Sequence, residues 1–326
     1  MFKYYKEDEL VKSSTYVREP VDNVRKQIEN SSSKKIIVGN GRGIGKSVLL
    51  TELEGKNISN EQQYVKMAFD PVMHLNDEKL SQHYYEMQIA KNLINYIAKY
   101  YSYTYQNNFK NDDIAIKNII NETNKYLRNR YFTNEQLTKY LQNGELTENL
   151  INKIKSLLKI SQLNLAIDRF DWTNGNNKSD QLILNNYFNK FDSVVITSDD
   201  EEIKRKARRD NLINKGYDFI NLNYGADDNY IKAIIRNRIA EYNINRCYNH
   251  RNFNEDLLTD EVYQYLINKT RGNMNLMINS LAVFLNNWES CNEDFDVEKE
   301  LIKATNEEIK DNQNLIRTKK PINLYL

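Results

Sequence analysis

The chain has 326 residues and balances Lys+Arg 46 against Asp+Glu 45, for a formal charge of +1. That balance excludes a whole-chain electrostatic footprint for nucleic acid and leaves only local basic patches, while the length suits a sizeable core and about two domains. Cys247 and Cys291 are the only cysteines and lie far apart, so no disulfide framework or zinc spacing follows.

The N-terminal MFKYYKEDELVKSS lacks the apolar core of a signal peptide, and no run is long enough to cross a bilayer. The expectation is a cytoplasmic protein with no membrane partner. Asn, Lys, Ile and Tyr are abundant and only 3 Pro occur. This bias reads as the codon usage of an AT-rich genome, because apolar periodicity persists through it. Residues 16–30 (YVREPVDNVRKQIEN) predict a short helix beginning near Pro20 that leads through Ser31–Ser33 into a first strand.

Lys34 to Leu50 reads KKIIVGNGRGIGKSVLL. Ile36, Ile37 and Val38 make a short apolar strand. Gly39, Gly41, Gly43 and Gly45 follow, with Asn40, Arg42 and Ile44 between them; Lys46, Ser47 and a helical run from Val48 complete the stretch. This is a Walker A phosphate loop in a strand–loop–helix setting. Its glycines let the backbone turn its N–H groups inward, so that the loop and the helix start can cradle a polyphosphate. Lys46 would reach the β- and γ-phosphates and the Ser47 hydroxyl would ligate Mg²⁺. The GxxxxGK[ST] spacing puts its first glycine at Asn40, with Gly39 one residue early; Asn tolerates positive φ well enough for the loop to close. ATP with Mg²⁺ is the expected ligand.

Tyr64–Asp70 predicts a second strand, closed by Asp70-Pro71. From Leu80 to Tyr101 apolar residues recur at helical spacing, and the Tyr-rich stretch Tyr96 to Tyr105 is either a partner surface or rings packed on a helical insertion. Residues 109–160 continue the helical pattern, so residues 80–160 are expected to form a helical insertion between strands. Leu163–Asp168 (LNLAID) predicts a strand beside the phosphate-loop strand, with Asp168 at its end as the Walker B acid for Mg²⁺. Asp171 is the next carboxylate, read either as the acid that orients the attacking water or as a solvated turn residue. Ser193–Ser198 predicts the strand next to Walker B; Thr197 and Ser198 at its end are either γ-phosphate sensors or a helix cap before Asp199.

In IKRKARRD (203–210), Arg205, Arg208 and Arg209 admit three readings: an arginine finger toward a neighbouring subunit, a nucleic-acid backbone contact, or a solvated helix face. Tyr217–Asn223 predicts a last strand. Strands alternating with helices predict a parallel α/β sheet. After Asp227 only helical runs remain, at Ile231–Ile244, Thr259–Lys269 and Asn275–Trp288. The expected division is 1–225 for the nucleotide domain and 226–326 for a helical lid with a C-terminal tail. His74, His83 and His250 are scattered and suggest no metal site.

With these features in order, the chain resembles the AAA+ P-loop ATPases, on the origin-recognition-like and STAND side, with KAP-type features. The resemblance rests on GNGRGIGKS at 39–47, AIDRFDW at 166–172, VVITS at 194–198, NLNYGADDNYIKAIIRNRI at 221–239 and TRGNMNLMINSL at 270–281. It implies ATP hydrolysis, a helical lid, and a homo-oligomer or a partner protein. In the family's lid segment a γ-phosphate-sensing arginine stands where this chain has Asn275; the nearest arginine is Arg271. The spacing of Asp168 and Asp171 is similar to the D-x-x-D Walker B of KAP-type relatives. Three roles follow as expectations: a nucleotide-gated switch that assembles or recruits proteins, a DNA-associated ATPase, and a non-hydrolysing nucleotide-binding scaffold.

Overall fold

A computed structural model describes residues 17–39, 43–56, 62–68, 88–96, 145–168, 187–198, 210–222, 228–244, 252–290 and 295–312, apart from positions 18, 32, 44, 91, 94 and 211. Helix α1 (Glu19–Glu29) places Val21, Val24 and Ile28 at three- and four-residue spacing, and all three are buried. Strand β1 (Lys35–Gly39) then leads through the glycine-rich loop to α2 (Lys46–Lys56). Strand β2 (Gln62–Ala68), helix α3 (Glu145–Leu158) and strands β3 (Gln162–Asp168), β4 (Val194–Ser198) and β5 (Tyr217–Asn221) follow.

The five strands are all parallel, in the order β2-β3-β4-β1-β5. Period-two alternation sends their side chains to two separate apolar clusters. On one face, Ile36, Val38, Tyr64, Ala166 and Val195 meet Leu49, Leu50 and Leu53 of α2 and the buried side of α1. On the other, Ile37, Val65, Met67, Leu165, Ile167 and Ile196 meet Ile151 and Ile154 of α3 and Ile89, Leu93 and Tyr96. A sheet covered on both faces accounts for the near-continuous apolar runs in its strands. Between β2 and β3 the described residues include helical ones at 88–90, 92–93 and 95–96 and helix α3; the rest of the Leu80–Tyr101 run, and most of the expected insertion at 80–160, lies outside the described residues.

One expectation is corrected. Strand β3 does not lie beside β1, because β4 pairs with both and separates them. Parallel strands need long crossovers, and a long crossover can pass over a neighbouring position, so apolar runs identify strands without fixing their order.

Among the described residues four α-helices follow β5: α4 (Asp228–Ile244), α5 (Asp260–Thr270), α6 (Met274–Ser290) and α7 (Val297–Asp311). Their core includes Phe253, Phe284, Trp288 and Phe295, whose rings meet mostly edge to face at centroid distances of 5.0–5.6 Å. Asn243 pairs with the Phe253 backbone in both directions, at 2.9 and 3.0 Å, which ties the end of α4 to the segment before α5. Tyr230 on α4 packs against both this core and the α2 side of the sheet. Among the described residues no helix is long and apolar enough to cross a membrane.

Candidate functional site

In parallel pairing all strands end on the same side, and the candidate residues gather at that carboxyl edge. Gly39 stands in register with Ser198 on one side and Asn221 on the other. Asp168 is in register with Ala68 of β2, and Ile167 with Ile196, which brings the end of β3 to the level of Thr197. The Thr197 hydroxyl lies 3.1 Å from Asp168 Oδ1 and 3.2 Å from the Ile167 carbonyl. A carboxylate only accepts, so the threonine proton is shared between two acceptors. Thr197 and Ser198 are both fully buried, and Asp168 is half-buried.

The glycine-rich loop leaves this edge directly from β1. Gly43 and Gly45 have φ of +74° and +97°, the left-handed region that glycine enters without steric penalty. The Gly45 carbonyl accepts the Leu49 amide at 3.0 Å, which opens α2. Lys46 is the first residue of that helix and is only 7% exposed, while Ser47 and Val48 are half-buried. Asn40, Gly41, Arg42, Ile44 and Asp171 lie outside the described residues, as do Arg205, Arg208 and Arg209.

Lys66 belongs to no motif and stands within the expected second strand. Its ammonium donates to the Thr51 hydroxyl at 2.8 Å and to the Ser47 carbonyl at 3.2 Å, and Thr51 donates to that same carbonyl at 3.0 Å. Its backbone amide donates to Glu54 Oε1 at 3.1 Å. Strand β2 is thereby fastened to the first turns of α2, next to Ser47. The readable hint was a lone cation in an apolar strand pattern, which needs a nearby acceptor when half-buried.

Arg271 and Asn275, the two positions compared in the lid segment, are both exposed. Arg271 ends α5 with φ +53° and Gly272 continues with φ +69°, so two left-handed residues in succession reverse the chain. The reversal delivers Asn273 against Gly43 and starts α6. For a non-glycine residue the left-handed conformation costs on the order of 1 kcal/mol.

The donor set is compatible with a polyphosphate and a hard divalent cation. The loop supplies two positive-φ glycines and a buried lysine, and Ser47 and Asp168 carry oxygen atoms of the kind a hard cation takes. Among the described residues no group of three or more His, Cys, Asp and Glu side chains is placed to hold a metal. A cation bound here would depend on few protein ligands and on the oxygens of its anion, as is usual for Mg²⁺.

No protein-family model matches the chain, and no curated protein matches it. Among solved structures the chain is similar to C. elegans PCH-2, at 10% identity and a TM-score of 0.41, over 95% of this chain and 71% of that one.

Proposed function

We propose that the chain is an ATP- and Mg²⁺-binding ATPase of AAA+ type that acts as a nucleotide-gated switch, assembling as a homo-oligomer or recruiting a partner protein. The observation that carries the reading is the juxtaposition at one sheet edge. A glycine-rich loop with buried Lys46 opens a helix from β1, and the Asp168–Thr197 pair ends the strands two places and one place away. In this reading residues 39–48 hold the phosphates, with Lys46 balancing their charge and Ser47 and Asp168 holding Mg²⁺, which supplies Lewis acidity at the γ-phosphate. Thr197 orients the Asp168 carboxylate, Ser198 lines the same edge, and Asp171 orients the attacking water. Arg271 takes the part that Asn275 cannot, since asparagine carries no charge to answer a γ-phosphate.

The test is ATP turnover by the wild type beside Lys46→Ala, Asp168→Asn and Asp171→Asn, with binding of a fluorescent ATP analogue followed in parallel. Lys46→Ala is expected to weaken binding roughly ten-fold or more, the value of a charged hydrogen bond. Asp171→Asn is expected to bind normally and turn over about a hundred-fold more slowly. Binding without turnover in the wild type would remove the ATPase and leave a nucleotide-binding scaffold, the reading that Arg169 directly after Asp168 favours. The basic run at 203–210 favours a DNA-associated ATPase as the second reading. DNA retention that falls steeply with salt would select it.

A further inference from the structure

Helix α6 has four amide groups at its start that find no partner within the helix. Their destinations are all defined. The Asn273 amide donates to the Thr270 carbonyl at 3.1 Å. Asn275 and Leu276 donate to the Asn273 side-chain oxygen at 3.1 and 3.2 Å. The fourth, Met274, leaves the lid and donates to the Gly43 carbonyl at 2.9 Å. One hydrogen bond thus joins the amino end of α6 to the glycine-rich loop.

Side-chain contact reinforces it. A Cβ placed on Gly43 would come within 2.1 Å of Asn273 Oδ1, so the loop backbone presses directly on the cap, and Asn273 is only 3% exposed. Glycine at this position therefore answers to two demands: the positive φ and the approach of the lid. Glycine peptides rotate readily. A carbonyl held from outside the loop fixes the whole planar unit it belongs to.

We propose that Asn273 is a positioning residue for the glycine-rich loop: by capping α6 it keeps the Met274 amide on the Gly43 carbonyl, and so couples the conformation of the loop to the seating of the lid. The proposal rests on the reading of that loop as the nucleotide site. Holding the loop in one conformation removes part of the ordering cost of binding. By reciprocity, nucleotide then strengthens lid seating by the same factor as the seated lid strengthens nucleotide binding.

Thr259 is the control, because it caps α5 in the same way, accepting from the Val262 amide at 3.4 Å, on a helix with no such backbone bond to the described residues of the loop. Four proteins are compared: wild type, Asn273→Ala, Asn273→Ser and Thr259→Ala. The measurements are affinity for a fluorescent ATP analogue, melting temperature, and nucleotide-free amide exchange over residues 272–280. Asn273→Ala is expected to weaken the analogue about five-fold or more, the lower end of ordinary coupling between sites, and to speed exchange at Met274. Asn273→Ser keeps a cap acceptor and stays within about two-fold of wild type. Thr259→Ala lowers the melting temperature similarly and leaves affinity unchanged.

Equal affinity in Asn273→Ala and wild type overturns the proposal, and so does an equal loss in Thr259→Ala. If Asn273→Ala does not fold, Asn273→Gly carries the same comparison, since glycine is a tolerated cap. Failure of the wild type to bind the analogue overturns the nucleotide reading and this proposal with it; unchanged exchange at Met274 overturns the coupling alone.

Discussion

Three buried Ser and Thr hydroxyls of the lid are satisfied within their own helix: Thr270 donates to Leu266, Ser280 to Leu276 and Thr305 to Leu301, each four residues back, at 2.7–2.8 Å. At the edge of the sheet the buried Thr197 hydroxyl instead reaches a different strand, 29 residues away, to find Asp168. A hydroxyl bonded one turn back only hides its own polarity. A hydroxyl spent on a carboxylate of a neighbouring strand fixes the position of a charge. These three lid hydroxyls are thus spent locally, beside an aromatic core, while the one at the sheet edge is spent on a charged group of another strand.

The largest expected effect lies in the lid core. Phe284→Ala removes a fully buried ring that meets Phe253 and Phe295. A loss of about 3–5 kcal/mol is expected, visible as an early unfolding transition in urea. A loss under about 1 kcal/mol would mean that the four helices do not share one core.

The comparison sharpens with two hydroxyl deletions. Thr197→Val keeps the shape and removes the bond to Asp168, so turnover is expected to fall about ten-fold or more while melting shifts little, in line with a hydrogen bond to a charged group. Ser280→Ala removes an equally buried hydroxyl and is expected to leave turnover unchanged. Equal losses in the two variants would erase the distinction between the regions.

The smallest effect is on the lid surface. Lys232 donates to Asp260 at 2.6 Å, and that bond, followed by the lysine's charge, holds the Asp260 carboxyl below its ordinary pKa. A depressed carboxyl pKa contributes stability above the ordinary carboxylate range and loses it as pH falls through the depressed value. Asp260 is exposed, so Asp260→Asn is expected to change melting little at neutral pH and to flatten slightly its decline in acid.

Much of this was legible in the sequence. All five strands were placed to within two residues at either end, because a buried parallel strand is an apolar run bounded by turn residues. Helices α4, α5 and α6 showed their periodicity. Strand order was not legible, since pairing is decided by crossovers rather than composition. Helix α7 lies beyond the helical runs expected from the sequence, although its buried Leu301, Ala304 and Thr305 fall at helical spacing. At the candidate site the residues that act through a motif could be named. Lys66 and Asn273 could not, because what they touch, α2 and Gly43, lies far from them in the chain. For Asn273 the local signal existed: an asparagine directly after a glycine, between two helical runs, is a helix-cap pattern.

Lys66 has a consequence for how the molecule can associate. Among the described residues β2 is one of the two outer strands of the sheet, β5 being the other, and an outer strand normally offers unpaired amides to any extended chain that approaches. Here the Lys66 amide is already taken by Glu54. Its side chain is anchored to the same helix through Thr51 and Ser47. Growth of the sheet by strand addition is therefore opposed at this border.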